Sequence, residues 1–140
     1  MNAILVPVDG SKPSINALKA AMAASRQTGA TLYVVTVQAP VFTGNVKRFI
    51  AQEAINAYYH DAGEAALKDA RPLLHTEGFQ VQAELKIGPV AETIVSYAEA
   101  KGCDLIIMGT RGMGAVSNLV MGSTAVKVVS LAEIPVMLVK

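Results

Sequence analysis

Short apolar runs, each ending at a turn residue, alternate along this chain with segments of helical periodicity. The runs at residues 3–8 and 105–108 are apolar without alternation, which indicates strands buried on both faces. After the first run, Ile15, Leu18 and Met22 recur at helical spacing, which indicates an amphipathic helix. Because strands and helices alternate, we expect an α/β fold: a parallel sheet with helices on both of its faces.

The complete pattern predicts five strands and four helices in a single domain, residues 1–140, because no linker or repeat interrupts it. The predicted strands are residues 3–8, 31–37, 79–87, 105–108 and 136–139. The predicted helices begin near residues 11, 46, 89 and 123 and end near residues 28, 77, 102 and 131. Pro72 is expected to interrupt the second helix near residues 69–71. The clean alternation of residues 79–87 is typical of a half-exposed strand, which we place at a sheet edge.

Composition excludes several classes of protein. Apolar residues make up 52% of the chain and charged residues 16%, so disorder is not expected. The net charge is +1 without a Lys or Arg cluster, which gives no support to nucleic-acid binding. No apolar run approaches ~20 residues, so no membrane span is expected, and the amino terminus does not have the pattern of a signal peptide. A cytoplasmic location is therefore the expectation.

Two glycine-rich points bracket the loop that follows the strand at residues 105–108. The first holds Gly109, Gly112 and Gly114, and the second is Gly122-Ser123, directly before a predicted helix. Glycine lets the backbone approach a ligand closely, and a helix start offers unpaired N–H groups and the positive end of a dipole. Together they predict a phosphate cradle.

Two common phosphate motifs do not fit this loop. A P-loop requires Lys before its final Ser or Thr, but here Gly122 is followed directly by Ser123. The dinucleotide fingerprint belongs at the first strand–helix turn, which here is Asp9-Gly10-Ser11. Neither a P-loop nucleotidase nor a nicotinamide dehydrogenase is favoured.

The spacing Gly109-x-x-Gly112, followed after nine residues by Gly122-Ser123, resembles the nucleotide-binding signature of the universal stress protein family. The resemblance covers essentially the whole chain, including the opening strand and turn, V-P-V-D-G-S, and the closing helix and strand. It implies a Rossmann-like sheet of order 3-2-1-4-5, of the adenine nucleotide alpha hydrolase type. In that order Asp9 and Gly109 would face each other across one crevice.

The resemblance to the ATP-binding branch of this family implies that ATP, with Mg²⁺, binds in that crevice. It implies that the adenosine part lies beside Pro7, Val8, Asp9 and Val37. It implies that the loop past ribose and phosphates consists of Met108, Gly109, Arg111, Gly112 and Gly114. It implies that the phosphates meet the start of the last helix at Gly122, Ser123 and Thr124.

Several of these residues also have a purely structural explanation. Asp9 is a residue type that caps turns and helices, and Ser123 and Thr124 are common N-caps. Arg111 is either a solvated loop charge or a bidentate phosphate ligand.

The remaining reactive residue types indicate no further chemistry. Cys103 is the only cysteine, so no internal disulfide forms, and we expect it to be an inert small residue before a strand. His60 and His75 lack companions at ligand spacing, so a zinc site is not expected.

The last strand, Val136–Val139, is apolar without alternation. At a sheet edge such a strand would be paired or covered, and the simplest solution is a two-fold homodimer through this strand. The family resemblance implies the same dimer. Since no catalytic set can be placed in the crevice, a nucleotide-dependent regulatory protein of the stress response is favoured. A slow ATP-hydrolysing enzyme and a ligand-free dimeric scaffold are the alternatives.

Overall fold

One parallel sheet organises the computed structural model, which describes residues 1–112 and 121–140. The sheet has five strands in the order β3-β2-β1-β4-β5, and this confirms the predicted fold class. The strands are β1 Ala3–Pro7, β2 Thr31–Gln38, β3 Glu84–Ile87, β4 Leu105–Gly109 and β5 Val136–Val139. The helices in the described ranges are α1 Lys12–Thr28, α2 Gly44–Lys47, α3 Gln52–Ala66, α4 Ala70–Thr76, α5 Val90–Ala100 and α6 Ser123–Leu131.

Alternate residues of the central strands pack into two cores, one on each face of the sheet. Ile4 packs with Leu18 of α1 on one face, and Leu5 packs with Ile94 of α5 and Val128 of α6 on the other. All five side chains are at most 2% exposed. Because both faces are covered, every position of β1 is apolar, as expected for a buried parallel strand.

The first helix begins and ends where the sequence predicts. Ser11 is the N-cap, and its Oγ accepts a hydrogen bond from the Ser14 N–H at 3.3 Å. Gly29 ends the helix with φ 75° and donates its N–H to the Ser25 carbonyl at 2.8 Å. The cap at Ser11 fixes the turn that leaves the carboxyl end of β1.

The single helix predicted for residues 46–77 is wrong, because three helices, α2, α3 and α4, occupy this part of the chain. The predicted interruption before Pro72 exists, but it lies at residues 67–69. Pro72 is the third residue of α4, where its missing N–H would have had no helical partner. The break at residues 48–51 was not expected. Helix α2 buries none of its residues, so no packing aligns it with α3.

The third strand is shorter than predicted. Only Glu84–Ile87 pair with β2, starting from Val35 opposite Glu84. Phe79 and Val81 instead pack on the α1 face of the sheet, and the Phe79 N–H donates to the Leu74 carbonyl of α4 at 2.9 Å. The alternation of apolar and polar residues at positions 79–83 therefore comes from packing on the core beside α4, and not from pairing with β2. The predicted edge position of β3 is confirmed.

A carboxylate fixes the start of β1 beside the start of β4. Asp104 accepts hydrogen bonds from the N–H groups of Asn2 at 2.8 Å and Ala3 at 3.3 Å. The Asn2 amide is the main cause of the lowered pKa of Asp104. In the two described ranges, no helix has the length and apolar character needed to cross a membrane.

Candidate functional site

The carboxyl ends of β1 and β4 lie side by side. The two strands pair in parallel, with Ile4 opposite Leu105 and Leu5 opposite Ile106. β2 lies on one side of β1 and β4 lies on the other side. The strand order therefore reverses between β1 and β4. In open α/β sheets a ligand crevice forms at this reversal, beyond the carboxyl ends of the strands.

A network of short-range hydrogen bonds holds the turn after β1. Asp9 Oδ1 accepts the Ser11 N–H at 2.9 Å, so the structural explanation of Asp9 as a turn-capping residue is correct. Ser14 Oγ donates to the Ser11 carbonyl at 2.9 Å, and the Val8 N–H donates to the Val35 carbonyl of β2 at 2.8 Å. Pro7 and Val8 are buried, whereas Asp9 is exposed. The turn therefore presents the Asp9 carboxylate to the crevice from a fixed backbone.

The loop after β4 touches that carboxylate directly. A methyl group built on Gly112 would lie 2.5 Å from Asp9 Oδ2, so a larger residue at this position would displace the carboxylate. Ser11 Oγ donates to the Arg111 carbonyl at 3.4 Å, which ties the same loop to the first helix. Asp9, Arg111 and Gly112 therefore form one wall of the crevice, although about a hundred residues separate Asp9 from the other two.

The start of α6 folds back onto the end of β4. The Gly122 N–H donates to the Thr110 carbonyl at 2.6 Å, and a methyl group on Gly122 would lie 3.4 Å from the Arg111 Cα. Gly122 is the N-cap and has no side chain with which to cap the helix. The amides of the first turn of α6 therefore begin beside Thr110 and Gly112, with the positive end of the helix dipole at the crevice.

Thr110 connects three elements at this point. It is 6% exposed, its N–H donates to the Val139 carbonyl of β5 at 2.8 Å, and its own carbonyl accepts the Gly122 N–H. Thr110 has no distinguishing sequence signal, because nothing in its local pattern separates it from any other residue that follows a strand. The sequence places Ser11 only in the first strand–helix turn, and its hydrogen bond to Arg111 depends on the tertiary fold.

The charges of the crevice come from Asp9 and Arg111. Across residues 1–112 and 121–140, no group of three or more His, Cys, Asp or Glu side chains could hold a metal ion. Cys103 is 6% exposed, and burial raises the pKa of its thiol to about 11. At neutral pH this thiol is protonated, so it is a poor nucleophile.

The remaining predicted site residues lie at different depths. Val37 is half-buried and pairs with Lys86 of β3. It lies two residues after Val35, the last β2 residue that pairs with β1. Met108 is buried with the α5 and α6 core. Gly109 lies against α1, since a methyl group there would be 2.9 Å from the Pro13 carbonyl carbon and the Ser14 nitrogen.

The start of α6 holds the last described site residues. Ser123 is exposed and Thr124 is half-buried in its first turn. The predicted site residue Gly114 lies outside the described residues.

The sequence model of the universal stress protein family matches residues 1–140. The chain belongs to this family. It is 33% identical to a universal stress protein of Methanocaldococcus jannaschii, over 98% of this chain and 81% of that protein. It is 36% identical to a universal stress protein of Thermus aquaticus, over 98% of this chain and 97% of that protein.

Solved universal stress protein structures share the fold. The universal stress protein UspA from Lactobacillus plantarum has a TM-score of 0.81 and 26% identity, over 99% of this chain and 97% of that one. A universal stress protein in complex with cAMP has a TM-score of 0.73 and 19% identity, over 99% and 97% of the two chains. One from Archaeoglobus fulgidus in complex with dAMP has a TM-score of 0.70 and 24% identity, over 100% and 98%.

Proposed function

We propose that this universal stress protein binds ATP, together with Mg²⁺, in the crevice beyond β1 and β4 and acts as a nucleotide-dependent regulatory protein of the stress response. The observation that carries the proposal is the approach of Gly112 to the Asp9 carboxylate, beside the start of α6. Two strand ends and one helix start converge there, as a site for a polyanion requires.

The start of α6 supports the phosphate part of the proposal. Its N-cap is Gly122, so no side chain competes for the amides of Ser123 and Thr124. Free amides and the helix dipole together favour a phosphate group. Arg111, on the facing loop, would add a planar guanidinium that suits bidentate contact with phosphate oxygens.

The adenosine part would lie towards β2, on the other side of the β1 end. There Pro7 and Val8 end the buried β1, and Val37 lies further along the same edge of the sheet. Two family members of the same fold carry adenine nucleotides, cAMP and dAMP. Since the described residues contain no cluster of three metal-ligating side chains, Mg²⁺ would be held mainly by the phosphates, as is usual for this ion.

Titration of ATP with Mg²⁺ into nucleotide-stripped protein tests this function. We expect saturable binding below millimolar ATP, because the amides of α6 and the Arg111 guanidinium would contact the phosphates. Isothermal calorimetry measures the affinity, and phosphate release in the same samples measures any hydrolysis. Binding without turnover supports the regulatory function, and turnover supports the slow enzyme. The absence of binding at millimolar ATP would refute the nucleotide site and leave the dimeric scaffold.

We further propose that two copies pair through β5, which lies at the sheet edge opposite β3. Met137 of this strand is 47% exposed, and α6 adds exposed Val126, Val129 and Leu131. An apolar edge strand of this kind is prone to pair with a strand of another chain. A two-fold axis would allow β5 to pair with β5 of a second copy.

The substitution Met137→Asp is expected to convert the dimer into a monomer, because it places two like charges at the shared edge. Light scattering at micromolar concentration measures the mass. Ile87→Asp is the matched control, since Ile87 is similarly exposed on the opposite edge strand, β3. A wild-type protein that is monomeric, or a dimer that Ile87→Asp also dissociates, would contradict pairing through β5.

A further inference from the structure

A group of large apolar side chains is exposed where the chain leaves β2. Phe49 is 88% exposed, Val41 is 53% exposed, Tyr58 is 47% exposed and Val46 is 44% exposed. With Phe42 they form what we call the 41–58 patch, which spans α2 and the amino-terminal half of α3. The exposure of four large apolar side chains within one short segment of chain indicates an interaction surface, whereas single exposed apolar residues do not.

The base of the 41–58 patch is rigidly built. The Phe42 ring packs edge-on against Tyr58 at 5.2 Å and Tyr59 at 5.7 Å between ring centroids. Tyr59 is 5% exposed, and its hydroxyl accepts the Val41 N–H at 3.0 Å. The buried Tyr59 therefore anchors Val41 and Phe42 to the core, while Phe49 is exposed to solvent between α2 and α3.

The charges between the end of β2 and the start of α3 have a single sign. Lys47 and Arg48 directly precede Phe49, and no Asp or Glu lies between Ala39 and Gln52. Neither cation forms an ion pair with another side chain in the described part of the protein. An anionic bilayer attracts Lys and Arg side chains near its surface, and apolar side chains beside them enter the headgroup boundary.

We infer that the 41–58 patch docks on an anionic phospholipid surface. Phe49 and Val46 would enter the boundary between headgroups and acyl chains, and Lys47 and Arg48 would pair with the lipid phosphates. Glu53 follows in the first turn of α3, which limits the contact to the projecting α2 end of the patch. The patch follows β2, on the side of the sheet away from β5, so a dimer through β5 leaves it accessible.

Vesicle flotation with the full chain tests this surface. We expect the protein to float with vesicles of phosphatidylcholine and phosphatidylglycerol, and to float less with phosphatidylcholine alone or at high salt. Phe49→Ser should reduce the bound fraction at least about fivefold, and the double variant Lys47→Ser/Arg48→Ser should remove the dependence on phosphatidylglycerol. Ile87→Ser, which removes an equally apolar exposed side chain elsewhere, should float like the wild type.

Three outcomes overturn the inference. The first is a wild-type protein that does not float with vesicles containing phosphatidylglycerol. The second is Phe49→Ser lowering the oligomeric mass in light scattering, which would assign the patch to contact between copies of this chain. The third is Phe49→Ser weakening ATP binding as much as vesicle binding, which would make the segment part of the nucleotide site. Failure of wild-type ATP binding leaves the flotation result unaffected, so the two proposals are tested separately.

Discussion

Gly109→Ala is expected to lower the free energy of unfolding by about 3 kcal/mol, the upper end of the usual cost of overpacking a core. A methyl group at this position would lie 2.9 Å from three atoms of Pro13 and Ser14, two of them backbone atoms. Backbone cannot rotate away as a side chain can, so α1 would have to move off β4. Urea denaturation followed by circular dichroism measures the change.

Gly44→Ala is the matched control for this substitution. A methyl group on Gly44 meets no atom within 4 Å, and Gly44 lies in the first turn of α2, where alanine is tolerated. We expect the free energy of unfolding of Gly44→Ala to lie within about 0.5 kcal/mol of the wild type. Equal effects of the two substitutions would show that the close packing of α1 on Gly109 does not govern stability.

Gly122→Val is expected to weaken ATP binding at least about a hundredfold, which corresponds to about 2.7 kcal/mol of binding free energy. The first carbon of the side chain fits, because it would lie 3.4 Å from the Arg111 Cα and 3.6 Å from the Thr110 carbonyl oxygen. The two further methyl groups would occupy the space in front of the first amides of α6, where the phosphates are proposed to bind. Calorimetric titration of ATP with Mg²⁺ measures the loss.

The protein should remain folded after this substitution. The cost to the free energy of unfolding should stay within about 1–2 kcal/mol, since valine is a poorer N-cap than glycine. Gly44→Val serves as the control for an added side chain of the same size and should bind ATP like the wild type. Unchanged affinity in Gly122→Val would mean that the phosphates do not approach the start of α6.

The sequence was sufficient to predict the elements whose pattern comes from burial on the sheet. The continuous apolar runs of β1 and β4 and the helical periodicity of α1 follow from covering both faces of one parallel sheet. The division of residues 46–77 into three helices was not predictable from periodicity, because α2 buries no residue and so leaves no packing pattern. The short β3 was missed because residues 79–83 alternate for packing on the core rather than for pairing.

The sequence predicted which residues form the candidate site better than it predicted the contacts between them. Glycine spacing and the family resemblance identified Gly112 and Gly122, and the strand order then placed them beside Asp9. The hydrogen bonds from Ser11 to Arg111 and from Gly122 to Thr110 join residues whose proximity exists only in the folded chain. Local sequence contains no signal for such pairs.

Thr110, the residue that follows β4, joins two other elements through its own backbone. The Thr110 N–H is bonded to the last residue of β5, Val139, and the Thr110 carbonyl is bonded to the first residue before α6, Gly122. These two groups belong to the consecutive peptide planes on either side of the Thr110 Cα, so a shift of α6 that turns one plane also strains the hydrogen bond made by the other. A displacement of α6 would therefore reach β5, at the edge of the sheet, through one residue and without a relay of side chains.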